Sequence, residues 1–344
     1  MINWSESYTC LWRVVRVDPE TWADAETLAE VDGAKVTRTA DGNMLEAGTL
    51  SLSDGGGFDR GYSRLVMVAT DGSGNYERQD IATMLYEATG ATYDRGTAEV
   101  KAEGRSVLHP ANVRLLVDGT YAPANSDGAA WAGRLLESCI SAPVSVEASF
   151  ALASNIVPEF GTSALDAAWQ VVSAGGCIIR VAGDGTVHIM PKPTEPALLL
   201  DSAHAGLVMP GIKGGIDMSD VPNRYIAAGE LATAVAVNDD PSSPTSTVSR
   251  GYAYDMLDDS PELLGGETLE RYAKRRLEEE STVGVSATYK REWWPGVYPY
   301  DIVLGSLESV GLSGSMRVVS QSLECGNGVR VTEKAESEVR LWTS

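Results

Sequence analysis

The sequence predicts a mainly β protein with an α+β insertion: two β-barrel domains with an inserted α/β helix-hairpin module between them. Three observations carry this expectation. The 35 glycines in 344 residues argue for many turns and therefore many short strands. Runs of β-favouring residues crowd both ends of the chain, separated by glycine-rich turns. Between them the apolar period changes from two to that of a helix. A chain of 344 residues also exceeds the size at which one core usually keeps growing, so roughly two to four domains are expected.

The first β domain is expected over residues 1–115. Its strands are Thr9 to Val17, Ala34 to Thr39, Gly48 to Ser53, Arg64 to Thr70, Tyr76 to Tyr86 and Thr97 to Glu103. Its clearest hairpin turns at Asp71-Gly72-Ser73-Gly74-Asn75. The inserted module spans 116–196. Trp131, Leu135 and Cys139 give a first helical face after the polar start Asn125-Ser126-Asp127. Leu165, Ala168, Trp169 and Val172 give a second, opened by Ser163 and Asp166 in capping-box spacing and stopped by Gly175-Gly176. A hairpin follows: Cys177 to Ala182, the turn Gly183-Asp184-Gly185, then Thr186 to Met190. Pro191, Pro193 and Pro196 mark the exit.

The second β domain is expected over 197–344, with residues 197–230 able to return to the first barrel. Strands are read at Arg224 to Val237, Thr245 to Tyr254, Val283 to Glu292, Tyr300 to Ser306, Ser315 to Glu324 and Val329 to Leu341. One helix, about 261–281, carries the stripe Leu269, Tyr272, Ala273 and Leu277, with Glu267–Arg271 and Glu270–Lys274 as pairs on its wet side. No short-period repeat stands out.

The charge balance, 27 basic against 48 acidic residues for a net of -21, repels phosphate and excludes a basic nucleic-acid footprint. Cys10, Cys139, Cys177 and Cys325 are too scattered for a zinc site or a disulfide framework, and are read as reduced and buried. The start MINWSESYTCLW lacks a basic region followed by an apolar one, and no apolar run is long enough to span a membrane, so a chain made and folded in a cytoplasm is expected.

Sites for chemistry are sparse, and no catalytic, cofactor-binding or metal-ligating residue is assigned. His109, His188 and His204 have no second ligand at metal spacing. Asp71, Ser73, Asn75 and Glu77 imitate half a calcium loop, but position twelve is Ala82 and a tight hairpin explains them better. Gly55-Gly56-Gly57 and Gly214-Gly215 match no phosphate-binding loop and are read as turns or loops. The pairs Asp239–Asp240, Asp258–Asp259 and Asp217–Asp220 are read as solvated surface rather than glycosidase acids, and Glu278-Glu279-Glu280 as the wet end of a helix. Trp293-Trp294 has two open readings, a core cover or a subunit contact.

Taken in order along the chain, Leu45 to Leu52, Gly61-Tyr62-Ser63-Arg64-Leu65, Ile81 to Leu85, the hairpin Gly183 to Ile189, the helix Leu269 to Leu277 and Tyr298 to Leu304 resemble the baseplate hub or tail-tip hub proteins of tailed bacteriophages, the late control D or tail-associated hub type. The resemblance covers nearly the whole chain. It implies a virion structural protein rather than an enzyme, without cofactors. It also implies a homotrimer whose two similar tube-type barrels per chain make a pseudo-sixfold ring, with the module outside it. The implied partners are a distal tail or tail tube ring, tail fibre, spike or tape-measure proteins, and genome DNA passing transiently and non-specifically during ejection. Family members often continue into a lysozyme, peptidase or fibre-like extension; this chain stops at Ser344, so wall cleavage is expected of another protein. A distal tail protein, with one tube domain and a carbohydrate-binding-like sandwich, is the alternative within the same assembly. A carbohydrate-binding or hydrolysing β protein is the alternative from another class.

Overall fold

The computed structural model describes the chain except residues 1, 3, 5, 41–44, 54–57, 59, 95–96, 118, 201–207, 230–231, 260, 262, 264–266, 308–311, 327 and 343–344. It is mainly β, and it divides into two compact units. Unit 1 is Met1–Gly211, Tyr289–Gly305 and Arg317–Lys334; unit 2 is Ile212–Thr288, Ser306–Met316 and Ala335–Ser344.

Unit 1 begins with seven strands: β1 (Tyr8–Val17), β2 (Asp24–Glu30), β3 (Gly33–Thr39), β4 (Glu46–Ser53), β5 (Gly61–Asp71), β6 (Tyr76–Asp94) and β7 (Thr97–Ser106). The module follows with α1 (His109–Val113), α2 (Gly128–Glu137), β8 (Val144–Val146), α3 (Ala164–Ala174), β9 (Cys177–Val181) and β10 (Val187–Pro191). After it come β11 (Pro196–Leu200), β12 (Lys213–Ile216), β13 (Arg224–Ala228), β14 (Thr233–Val237), α4 (Thr247–Arg250), β15 (Asp255–Asp258), α5 (Leu269–Glu280), β16 (Thr282–Glu292), β17 (Ile302–Leu307), β18 (Leu312–Cys325) and β19 (Val329–Arg340).

The main sheet runs β16-β19-β18-β3-β4-β7-β6-β5-β1-β2. No pairing among the described residues closes this order into a barrel. Alternation sets which side chains enter the core: in β3, Ala34, Val36 and Arg38 are buried while Lys35 and Thr37 are exposed. Trp12, Val14, Leu50, Leu52, Leu65, Met67, Ile81 and Met84 fill that core, with Leu323 and Val331 from β18 and β19. Trp293 belongs to it, edge-on to Trp4 at 5.2 Å, so the core reading of this tryptophan holds.

The module is a three-stranded sheet, β8-β10-β9, with β8 parallel to β10, covered by α2 and α3. α3 forms as the sequence predicts: Ser163 Oγ accepts from Asp166 N at 3.0 Å and donates to the Asp166 carboxylate at 2.7 Å. α2 differs from its expected face. Trp131, Leu135 and Cys139 are half-buried, Cys139 lies past the helix end, and the buried side is Ala129, Ala132, Gly133 and Leu136. Small residues win here because the neighbours approach so closely: a Cβ on Gly133 would lie 2.6 Å from Val146, and one on Gly128 2.3 Å from Phe150.

Unit 2 holds a sheet ordered β14-β13-β15, on which α5 packs Tyr272, Ala273 and Leu277 against Tyr225, Ala227 and Ala234. Four sequence expectations change in this unit. The single strand Arg224 to Val237 is the antiparallel hairpin β13–β14. The strand Thr245 to Tyr254 is instead the short helix α4, because Ser246 caps it by accepting from Ser249 N and Gly251 ends it at φ 75°. The turn expected at Gly214-Gly215 is strand β12, paired with β16; a Cβ on Gly214 would meet Ser286 O at 2.5 Å. The helix expected at about 261–281 is α5, Leu269–Glu280, begun by Thr268. Glu267 pairs with Arg275, at 2.9 and 3.1 Å, rather than with Arg271.

Candidate functional site

The densest set of buried polar contacts gathers where the module's hairpin turn meets the main sheet. Gly183 lies so close to β6 that a Cβ would fall 1.8 Å from Asp80 O, so no other residue fits without moving backbone. Around the turn, Thr83 Oγ1 donates to Gly183 O at 2.9 Å, Arg64 Nη2 to Asp184 O at 2.9 Å and Trp22 Nε1 to Asp184 O at 2.8 Å. Gly183 N donates to Tyr298 OH at 3.2 Å. Arg64 is buried and also bonds Asp24 at 2.5 Å and Thr83 Oγ1 at 3.0 Å. The Gly183 and Asp184 carbonyls therefore have donors, and the hairpin is fixed to the sheet through its backbone.

Beside the turn, two guanidinium groups approach one aromatic ring: Arg38 lies 4.5 Å and Arg180 5.5 Å from the Tyr298 centroid. Arg180 Nη2 bonds Asp301 Oδ1 at 2.5 Å, and Asp301 Oδ2 accepts from Tyr298 N at 2.8 Å. Arg38 Nε donates to Glu46 Oε1 at 2.9 Å, and Arg38 Nη2 donates to Ile81 O. These groups border a cavity of about 20 Å³, the size of one water site. Four non-glycine residues described here adopt positive φ, and three of them surround this junction: Trp22 at 58°, Leu45 at 52° and Tyr300 at 73°. Such backbone costs on the order of 1–3 kcal/mol each and persists where surrounding contacts over-determine it.

Glu46 is fully buried, and that burial, against the opposing pull of Arg38, pushes its carboxyl up to about 7. A second buried carboxylate behaves oppositely. Burial raises Glu333 as well, but the Arg291 guanidinium at 2.6 Å and hydrogen bonds from Arg291, Tyr289 and Gln321 outweigh it and hold the group below its ordinary value. Burial beside Glu333 pushes Tyr289 upward.

The residues weighed in the sequence are spread apart. His188 Nδ1 contacts Glu147 at 2.5 Å in the module, and His109 Nε2 contacts Arg105 at 2.9 Å; His204 and Gly55-Gly56-Gly57 lie outside the described residues. Asp71 accepts from Ser73 N, Asn75 N and Asn75 Nδ2 at 2.8 to 2.9 Å, a closed hairpin turn. Asp217 accepts from Ser219 and Asp240 from Ser242, each in a local turn. Asp258 accepts from Tyr225 and Tyr272. Glu279 and Glu280 pair with Arg275 and Arg276. Among the described residues no cluster of three or more metal-ligating side chains occurs, and no helix is long and apolar enough to cross a membrane. All four cysteines are free; Cys177 and Cys325 are buried, whereas Cys10 and Cys139 are half-exposed, which departs from the expectation that all are buried.

Reading by residue type missed Arg38, Arg64, Arg291, Gln321 and Glu333, all of them buried. The signal was present. Arg38 continues the inward series Ala34, Val36, and Glu333 continues Val329, Val331, so a charged residue at core parity marks a buried partner.

No protein-family model matches the sequence, and neither does any curated protein. Solved structures do match. The tail protein from Neisseria meningitidis MC58 superposes with a TM-score of 0.60 over 96% of this chain and 97% of its own, at 14% identity. The fold is that of a phage tail protein. The 43 kDa tail protein of prophage MuSo2 from Shewanella oneidensis gives 0.59 over 97% of this chain and 98% of that one, at 13% identity. A chain of the half-lidded Francisella PdpA-VgrG complex gives 0.51 over 96% of this chain but 58% of its own, at 9% identity. The tail fold thus accounts for both units, and the buried contacts of unit 1 lie inside it.

Proposed function

We propose that the chain is a baseplate or tail-tip hub, a structural protein of which three copies form a pseudo-hexameric ring that continues a tail tube. The observation that carries this reading is the likeness to two tail proteins, one of them from a prophage, across 96% or more of both partners. In this reading residues 1–115 and 197–344 are the two tube-type β domains, and 116–196 is the module held on the outside. The module between two β-rich regions favours the hub over a distal tail protein. The virion tail is then the chain's location, and assembly takes place in the host cytoplasm.

The function is mechanical rather than catalytic. The buried arginines Arg38 and Arg291 pair with the buried carboxylates Glu46 and Glu333, and the acids Asp217, Asp240 and Asp258 are engaged by neighbouring hydroxyl and backbone groups. A conduit for DNA benefits from acid, because DNA carries about one charge per 1.7 Å of axis and a basic bore would hold it. The net charge of -21 supports a bore past which the genome slides. Electron microscopy of the purified chain tests the reading: class averages with an annulus of three chains support it, whereas lone globules or six-chain rings exclude it. Turnover of peptidoglycan by the purified chain would also contradict it.

A further inference from the structure

Glu46, at the module's seat on the main sheet, is buried with a single donor among the described residues. It opens β4 and is 3% exposed; Arg38 Nε of β3 donates to its Oε1 at 2.9 Å, and Oε2 has no partner among the described residues. Arg38 is shared as well: its Nη2 donates to Ile81 O, and its guanidinium lies 4.5 Å from the Tyr298 centroid. In such a site the charged form is costly, and taking a proton relieves the cost.

One wall of the cavity beside Glu46 is made by the module. Ile179, Arg180 and Val181 of β9 line it, together with residues 38–39 and 45–46 of the sheet and 298–300 of the segment before β17. β9 therefore keeps bulk water from Glu46, and lifting it would let water solvate the carboxylate. The other titratable and charged groups around Glu46 have their own engagements. Arg180 of β9 bonds Asp301 at 2.5 Å, the Tyr298 hydroxyl accepts from Gly183 N, and the Tyr300 hydroxyl donates to Ala40 O at 2.7 Å. Burial pushes up the phenol of Tyr86 on β6 and the thiol of Cys325 on β18, so neither carries charge near neutral pH. His188, on the same hairpin, pairs with Glu147 at 2.5 Å and does not line the cavity. Leu45 and Tyr300, both at positive φ, do line it, and such backbone relaxes once the contacts around it loosen.

We propose that Glu46 is a latch set by its own proton: protonated, it lets the β9–β10 hairpin stay seated on the sheet; charged, it favours a hairpin lifted far enough for water to reach it. The sign follows from which form holds the proton more tightly. Seated, the carboxyl is pushed up to about 7; in water an ordinary glutamate lies at about 4.5, so the lifted form binds the proton less tightly. The seat is therefore firmest below about pH 4.5 and loosens as pH rises toward about 7, by up to roughly tenfold in the opening constant per pH unit. The contact lies wholly within unit 1, so the inference is independent of the ring proposed above.

Two N–H groups that cross the seat report on it: Trp22 Nε1, which donates to Asp184 O, and the Gly183 amide, which donates to Tyr298 OH. Their hydrogen exchange is followed by NMR on the full chain from about pH 5 to about pH 8, with the intrinsic rise of exchange with pH divided out and the β3 and β4 amides as reference. Protection at both groups is expected to fall by on the order of tenfold or more across this range, through an opening that leaves β3 and β4 better protected. Glu46→Gln, a neutral stand-in for the protonated acid, is expected to keep at the alkaline end the protection it has at the acid end, whereas His188→Gln should keep the native slope. Protection that is flat with pH in the native chain overturns the latch, and this result needs no variant to fold. A slope that Glu46→Gln leaves unchanged, or that His188→Gln removes, overturns it too. So does exchange at the seat no faster than in β3 and β4, which would make the whole sheet the opening unit.

Discussion

Two buried arginine–carboxylate pairs in unit 1 share a chemistry and differ in outcome. Glu333 receives Arg291, Tyr289 and Gln321, all from neighbouring strands of the sheet, and remains charged. Glu46 receives Arg38 on one oxygen, while Oε2 has no partner among the described residues, and its carboxyl rises to about 7. Burial is equally complete in the two cases, so donor number decides which carboxylate keeps its charge. Glu333, with donors to both of its oxygens, lies within the sheet; Glu46, with donors to one, borders the cavity at the module junction. The difference teaches that a buried carboxylate keeps its charge when donors reach both oxygens and binds its proton more tightly when one oxygen is left bare.

Breaking the Glu333 cluster should have the largest effect. Arg291→Met leaves Glu333 buried beside fewer donors and is expected to cost about 3–5 kcal/mol in chemical denaturation. Next comes the seat itself. Gly183→Ala forces a Cβ against Asp80 O and is expected to cost about 1–3 kcal/mol, with faster hydrogen exchange in β9 and β10 than in β3 and β4. Arg38→Met should cost less than Arg291→Met, and least below pH 7, because Glu46 can answer the loss by taking a proton. Equal losses for the two arginine variants at pH 6 would erase the contrast.

The smallest effects are pH slopes, and they run in opposite directions. Because Glu46 binds its proton more tightly folded than unfolded, its contribution to stability falls as pH rises from about 4.5 toward about 7. Glu333 binds its proton less tightly when folded, so its contribution is lost as pH falls below about 4.5. Melting curves between pH 3 and 8 should show Glu46→Gln flattening the first slope and Glu333→Gln the second.

Much of the fold was legible because it rests on local chemistry. The Ser163 cap, the Asp71 and Gly183 turns and the alternation of the long strands are fixed within a few residues, and the structure has them where the sequence puts them. The errors arose where short range and long range disagree. Thr245 to Tyr254 has β-favouring residues, yet the Ser246 and Gly251 caps make it a helix. Gly214-Gly215 has turn composition, yet close approach to Ser286 makes it a strand. The candidate site was least legible, since Arg38, Arg64, Tyr298 and Asp184 come from distant segments and no motif joins them. Their residue types were readable; their meeting depends on topology.

In the proposed role this chain acts through shape, as one third of an annulus. Sedimentation equilibrium of the purified chain counts the copies. Three copies closing a ring give a species of three times the 36.5 kDa chain mass. A single mass equal to one chain at every concentration, or to six, would contradict it.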